Sequence, residues 1–178
     1  MAEMKGWGDS NFNNDPRQKL NLDMQPRIDD VYHSVLGNDI KIDRIEHPGD
    51  HVLDRRFAID TIITLPTGNI LTGQEKCLDT TFMTLTVEHY QNYLTQEKGD
   101  WYRLAAQFYF CGYVNKDKTG FDDWMIMNWA AMVLGTFNKK VTWFERSPKD
   151  GSHARASFKY VHFSNIPQVY IIARKPGW

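Results

Sequence analysis

The sequence predicts a mixed α/β fold with a central mixed β-sheet flanked by helices, and three observations support this class. Apolar residues at i, i+3, i+4, i+7 and i+8 predict one helix face: Ile28, Val31, Tyr32, Val35 and Leu36. The segment 56–65, which is rich in β-branched residues, and the strand-like segment 70–78 flank the turn PTGN and predict a hairpin. Several short strand-like segments follow in the second half of the chain.

The composition bounds the class of protein. A chain of 178 residues with 42% apolar and 24% charged residues is typical of one soluble globular domain. Residues 1–22 are polar and without period, so we expect an irregular arm followed by a single domain over 23–178. No segment approaches the ~18 apolar residues of a membrane span, and the N-terminus lacks a secretory signal pattern. Two distant cysteines, Cys77 and Cys111, are expected to be buried thiols, which favours a cytoplasmic protein over a disulfide-bonded one.

The remaining elements follow from local patterns. After the first helix, which ends at Gly37, the alternation over 40–46 predicts a strand. Residues 84–98 are expected to form a helix, with Gln96-Glu97-Lys98 in its last turn and Gly99 closing it. A buried strand is predicted over 105–114, and a helix capped by Asp122 is predicted to reach Gly135. Two or three further strands are expected from the segments 141–146, 154–163 and 168–174.

Charge is distributed unevenly along the chain. Residues 139–178 hold eight Lys or Arg against two acidic residues, so this segment carries +6 and the first 138 residues carry −7 within a net charge of −1. A basic segment can bind phosphates, although an ordinary solvated surface has the same composition. The candidate nucleic-acid-binding residues are Lys139, Lys140, Arg155 and Lys159.

Asp60 stands inside the apolar run FAIDTIITL, where an unpaired carboxylate is costly to bury. Lys76 is likewise a charged residue in the predicted partner strand, where an unpaired ammonium would be costly to bury. One interpretation is a structural ion pair across the hairpin in an unrelated α+β protein. Another is that Asp60 binds a cation.

The motif around these residues resembles the PD-(D/E)XK nuclease superfamily. Asp60 lies in one strand and is followed, after thirteen residues, by Gln74-Glu75-Lys76 in the next strand. The predicted order of helix, three-stranded meander, helix and strand over about 26–135 is similar to that superfamily's core. The resemblance implies a restriction-endonuclease-like core. Gln74 stands where an acid is usual, although some restriction enzymes of this superfamily use Gln there.

The resemblance also implies a chemistry. Asp60 and Gln74 would be ligands of Mg²⁺, with Mn²⁺ able to substitute, and the carbonyl of Glu75 would be a further ligand. Lys76 would orient the attacking water and balance charge on the phosphate. The expected catalytic residues are therefore Asp60, Gln74 and Lys76. A third acid from the first helix is expected at Asp29, with Glu46 as a weaker candidate.

The register of the hairpin decides which residue faces Asp60. Side chains alternate along a strand, so Gln74 and Lys76 share one face and Glu75 takes the other. A loop of three or five residues places Gln74 and Lys76 on the face of Asp60, and a loop of two or four places Glu75 there. A bulge at Gly73 would also change the register. The lysine required on the metal side favours Gln74 and Lys76.

The expected function is a metal-dependent nuclease that hydrolyses DNA phosphodiester bonds, in the context of a phage or mobile element. The alternative is a nuclease-fold protein that no longer cuts and acts as a nucleic-acid-binding or protein-binding subunit. DNA is the expected partner. A homodimer is a further expected partner, because cutting both strands of a duplex needs two active sites or two successive binding events.

Overall fold

The computed structural model describes residues 16–45, 52–148 and 156–176, which form three helices and ten strands. The elements in chain order are α1 (Pro16–Leu36), β1 (Lys41–Arg44), α2 (Val52–Phe57), β2 (Thr61–Thr64), β3 (Ile70–Leu78), β4 (Thr84–Asn92), β5 (Glu97–Lys98), β6 (Phe108–Val114), β7 (Phe121–Asn128), α3 (Trp129–Phe137), β8 (Phe144–Arg146), β9 (Ser157–His162) and β10 (Ile171–Arg174). The first sheet is mixed and has the order β1-β2-β3-β6-β7-β10, and the second sheet has the order β5-β4-β9-β8. The mixed α/β class is confirmed.

Helix α1 buries one face against the first sheet. Met24, Ile28 and Tyr32 recur every fourth residue and are fully buried, and Gly37 ends the helix at φ +99. Residues 16–22, assigned above to an irregular arm, form the first turns of this helix, because Leu20 extends the buried face beyond Pro26. Residues 1–15 lie outside the described part of the chain.

The predicted hairpin is confirmed over Thr61–Thr64 and Ile70–Leu78, whereas residues 56 and 57 of the expected strand 56–65 belong to α2. The register of the hairpin is continuous. Strands β2 and β3 pair from Thr64 with Ile70 to Thr61 with Gly73, so five residues separate the first paired positions and no bulge interrupts the pairing. Gly68 occupies the turn at φ +82, a conformation that favours glycine. Continuing this register by one residue places Asp60 opposite Gln74.

Strand β6 lies beside β3 in parallel and is buried along its whole length, as predicted. Its register aligns Gln74 with Tyr109 and Lys76 with Cys111. Cys77 and Cys111 are both free and buried, and burial raises the pKa of the Cys111 thiol to about 12. The expectation of buried thiols is confirmed.

The predicted helix over 84–98 is wrong, because this segment forms β4, a turn and β5. Leu85 and Val87 alternate with less buried neighbours and face the core, whereas Leu94 is 91% exposed and belongs to no apolar helix face. Gln96 has a φ of +55 in the turn, so the second Gln-Glu-Lys triplet ends no helix. The helix expected between β3 and β6 is therefore replaced by strands.

The helix predicted from Asp122 is also wrong in its first half. Residues 121–128 form β7, which pairs with β6 on one side and β10 on the other. Asn128 rather than Asp122 caps the helix that follows, since its side-chain oxygen accepts a 3.0 Å hydrogen bond from the Ala131 N–H. The strands predicted in the C-terminal part are confirmed as β8, β9 and β10.

Two apolar cores lie on opposite faces of the first sheet. The core on one face is formed with α1 and contains Tyr32, Phe108 and Phe110. The core on the other face is shared with the second sheet and contains Val87, Tyr109 and Met132. Within the described ranges, no helix has the length and apolar character to cross a membrane.

Gly73 carries a testable consequence for the hairpin. A Cβ at this position would lie 2.2 Å from the Phe108 ring and 2.8 Å from the Thr61 methyl group. We expect Gly73→Ala to lower the free energy of unfolding by about 1–3 kcal/mol, measured by urea denaturation. In the control Gly120→Ala, the new Cβ meets only a side-chain atom at 3.9 Å, so its stability should be unchanged or slightly raised. Equal stability of the two variants would contradict the close packing of Gly73.

Candidate functional site

Asp60 lies immediately before β2 and is held by β3. Its main-chain N–H donates to the Gly73 carbonyl at 2.8 Å. Its carboxylate oxygen Oδ2 accepts hydrogen bonds from Nε2 of Gln74 at 2.6 Å and from the Glu75 main-chain N–H at 3.0 Å. The acid in the apolar run is therefore bonded by two amide donors. These contacts do not support the hairpin ion pair between Asp60 and Lys76.

The amide oxygen of Gln74 is the least satisfied atom of this group. Its NH₂ donates to Asp60, but Oε1 is buried and has no hydrogen-bond partner in the part of the chain described here. A buried acceptor left unpaired costs about 1–3 kcal/mol. The Gln74 amide oxygen thus lies near the Asp60 carboxylate and accepts no hydrogen bond from a described residue.

The electrostatic environment of Asp60 is acidic. Burial raises the pKa of the Asp60 carboxyl well above its usual value, and the Glu75 N–H lowers it in part. The nearby carboxylates of Asp54, Glu75 and Asp100 raise this pKa further. Such an environment favours a proton or a metal cation at Asp60.

Lys76 lies on the same face of β3 as Gln74 and reaches toward the second sheet. Its ammonium donates to the Thr86 carbonyl at 3.3 Å and lies 5.4 Å from the centre of the Phe158 ring. The same carbonyl also accepts a 3.1 Å hydrogen bond from the Tyr109 hydroxyl. Side chains of the first sheet therefore bond the edge of β4.

Glu75 points away from this group, into the core beneath α1. Its Oε1 accepts a 2.9 Å hydrogen bond from the Tyr32 hydroxyl, and its Oε2 lies 3.3 Å from Nε of Arg44. Burial raises the pKa of Glu75 to about 7, although the Arg44 charge and the Tyr32 hydrogen bond lower it in part. Only the main-chain N–H of Glu75 reaches Asp60.

The expected metal set is therefore divided between two faces of the sheet. Asp29 forms an ion pair with Arg44, which also pairs with Glu75. Asp60 and Gln74 come together on one side, while the side chains of Glu75 and Asp29 are joined through Arg44 on the other. No three His, Cys, Asp or Glu side chains of the described ranges are grouped so as to hold a metal ion. Glu46 lies outside these ranges.

The structure describes three of the four residues predicted to bind nucleic acid. Lys139 and Lys140 are exposed just beyond the end of α3. Lys159 lies on β9, where its ammonium is 3.3 Å from Glu145 and 5.5 Å from the centre of the Trp101 ring. Arg155 lies outside the described residues.

Sequence reasoning missed two residues that organise the Glu75 side. Tyr32 was assigned only to the apolar face of α1, and Arg44 only to the alternation of β1. The available signal was their position, because a buried tyrosine needs a hydrogen-bond partner and an arginine in a short strand can pair with an acid across the sheet.

A second polar cluster was also missed, at His89. It lies in the segment predicted as a helix, yet it is 7% exposed on β4. Its Nδ1 lies 2.9 Å from Glu145, and its Nε2 lies 2.7 Å from the Tyr102 hydroxyl. Burial raises the pKa of Glu145, but hydrogen bonds from His89 and Lys159 lower it overall.

Comparisons with known proteins give no relative for this chain. No family model, no curated protein and no solved structure matches it.

The buried Glu75 predicts a pH dependence of stability. Because the pKa is raised from 4.5 to about 7, the folded protein keeps a proton that the unfolded chain loses across this window. Stability should therefore fall as pH rises from 4.5 to about 7. In Glu75→Gln, the decrease in the free energy of unfolding over this pH range should be smaller than in wild type by up to about 3 kcal/mol, measured by urea denaturation in EDTA. The exposed control Glu97→Gln should keep the wild-type pH dependence, and a Glu75→Gln curve parallel to wild type would contradict the assignment.

Proposed function

We propose that this protein is a Mg²⁺-dependent nuclease that hydrolyses DNA phosphodiester bonds at Asp60, Gln74 and Lys76. One observation carries the proposal. The buried Gln74 amide lies 2.6 Å from the Asp60 carboxylate, and its oxygen has no hydrogen-bond partner among the described residues.

The donor atoms present fit a weakly held magnesium ion. Mg²⁺ prefers oxygen ligands, keeps several waters, and is commonly held by one or two carboxylates together with substrate phosphates. Asp60 offers one carboxylate in an acidic environment, and Gln74 offers a neutral oxygen. When bound, Mg²⁺ would supply polarisation of the phosphate and of the attacking water.

The remaining chemistry would come from the chain itself. Lys76 shares the face of Gln74, where a positive charge can orient a phosphate and balance the charge that develops during attack. Asp60 and Gln74 are held by the main chain of β3, so they are positioned before substrate arrives. The order of helix, antiparallel meander and parallel strand in α1, β1, β2, β3 and β6 supports the proposal, whereas the second helix of the expected core is absent from the described segment 79–107.

A second candidate function is a nucleic-acid-binding or protein-binding subunit that does not cut. It is favoured by the side-chain contacts of Glu75 and Asp29, because both carboxylates are taken up by Arg44. A single carboxylate then remains beside Gln74, and a neutral ligand gives up one charge of attraction for the cation.

Cleavage assays test the choice between these functions. The purified protein is incubated with single-stranded, duplex and branched DNA in Mg²⁺ or Mn²⁺. We expect Asp60→Asn and Lys76→Ala to reduce the cleavage rate by about 100-fold or more. Lys116→Ala removes an exposed lysine from the turn between β6 and β7 and should cut like wild type.

The outcomes separate the candidates. DNA binding without cleavage by the wild-type protein would reject the nuclease and support the subunit. Wild-type rates in Lys76→Ala would place the cleavage at another site or in a contaminant.

Metal binding can be tested without activity. Gln74→Glu adds a second carboxylate beside Asp60, so it should lower the melting temperature in EDTA and increase the stabilisation given by Mg²⁺. Gln168→Glu makes the same charge change at an exposed position and should leave the response to Mg²⁺ unchanged. Identical Mg²⁺ responses of these two variants, measured by thermal unfolding, would show that Gln74 is not near a metal site.

A further inference from the structure

The second sheet presents aromatic rings on the face opposite its core side. Its core-side face carries Leu85, Val87 and Val161, each at most 1% exposed. Cross-strand partners have their side chains on the same face, and neighbours along a strand alternate. The side chains that alternate with these core residues along each strand therefore lie on the opposite face of the second sheet.

The strand register arranges this other face in two rows. In one row Tyr160 lies between Thr86 and Phe144, and in the next row Phe158 lies between Glu88 and Arg146. We call Phe144, Phe158 and Tyr160 the aromatic face. The centres of the Phe144 and Tyr160 rings are 5.6 Å apart, and the ring planes are inclined by 30°.

The aromatic face is accessible and adjoins the candidate site. Phe144 is 47% exposed, and Phe158 and Tyr160 are half-buried. The Lys76 ammonium lies 5.4 Å from the Phe158 ring centre. The Phe158 ring thus lies beside the lysine assigned to phosphate binding.

The charges beside the rings favour an anionic ligand. Lys76 and the exposed Arg146 approach the Phe158 row, and Glu88 is the acid of that row. Two cations against one acid can contact a phosphate backbone on either side of Phe158. Phe144 and Tyr160 in the next row carry no charge and offer ring faces.

We propose that the aromatic face binds single-stranded nucleic acid and presents it to Lys76. Bases stack on Phe144 and Tyr160, and the backbone passes Arg146 and Lys76. Unstacked bases are required, because the bases of a duplex already stack on one another and offer no free ring face within the helix. This inference rests on the proposed function, since it assigns the substrate form to the same lysine.

Fluorescence anisotropy with a labelled oligothymidylate in EDTA tests the inference, because binding is then measured without cleavage. Phe144→Ala and Tyr160→Ala should each weaken binding about tenfold, whereas Tyr160→Phe should bind like wild type. Phe137→Ala is the matched control, since Phe137 is an 81% exposed aromatic residue of α3. A duplex of equal length should bind more weakly than the single strand. Near-UV circular dichroism verifies that each variant is folded.

Three outcomes would overturn the inference: unchanged binding in folded Phe144→Ala and Tyr160→Ala, equal loss in Phe137→Ala, or tighter binding of the duplex. Loss of a dimer in Phe144→Ala with unchanged binding, seen by light scattering, would instead assign the face to a second copy of the chain. Failure here with retained, Lys76-dependent cleavage of duplex DNA would leave the proposed nuclease standing. Ring-dependent binding without any cleavage would support the aromatic face and reject the nuclease.

Discussion

The pairing register between β2 and β3 is the constraint on which the candidate site depends. Five residues between the first paired positions place Asp60 opposite Gln74, and Gly73 fits beneath the Phe108 ring only without a side chain. A slip of one residue would turn every side chain of β3 to the other face of the sheet. Glu75 would then stand toward the second sheet, and Gln74 and Lys76 would enter the core beneath α1. The turn and the close packing at Gly73 thus decide the chemistry of each face.

Each face of β3 holds a buried polar group in which one atom has no hydrogen-bond partner among the described residues. On the helix side, the buried Glu75 carboxyl accepts a hydrogen bond from Tyr32 and lies beside Arg44, whose Nε has no hydrogen-bond partner among the described residues. On the other side, an acid with a raised pKa contacts an amide whose oxygen is unpaired. Folded proteins pair nearly all their buried polar atoms, and exceptions concentrate where function requires them. The Gln74 oxygen differs from the Arg44 nitrogen in that it is an acceptor, and its neighbour Asp60 is an acid.

Much of the fold follows from local sequence, whereas its longer-range pairing does not. The first helix, the hairpin, β6 and the C-terminal strands carry strong periodic or β-branched patterns. The segment 84–98 was misassigned because Val87, Tyr90 and Leu94 fit a helical spacing by chance, while its strand pairing with β9 involves residues about 70 positions away. Likewise, the pair Asp60 and Gln74 could be anticipated from the hairpin, but Arg44 as partner of both Glu75 and Asp29 depends on how α1 and β1 pack on β3.

The Thr86 carbonyl has two donors, and this duplication bears on how Lys76 could move. A lysine that anchors a strand edge is normally costly to displace, because its departure leaves a buried acceptor without a bond. Here the Tyr109 hydroxyl donates to the same oxygen from 3.1 Å, closer than the ammonium at 3.3 Å. Tyr113 also bonds β4, since its hydroxyl donates to the Thr84 carbonyl at 2.8 Å, so the first sheet contacts this strand through two tyrosines. If Lys76 moved away from the Thr86 carbonyl, this oxygen would therefore still accept a hydrogen bond from Tyr109.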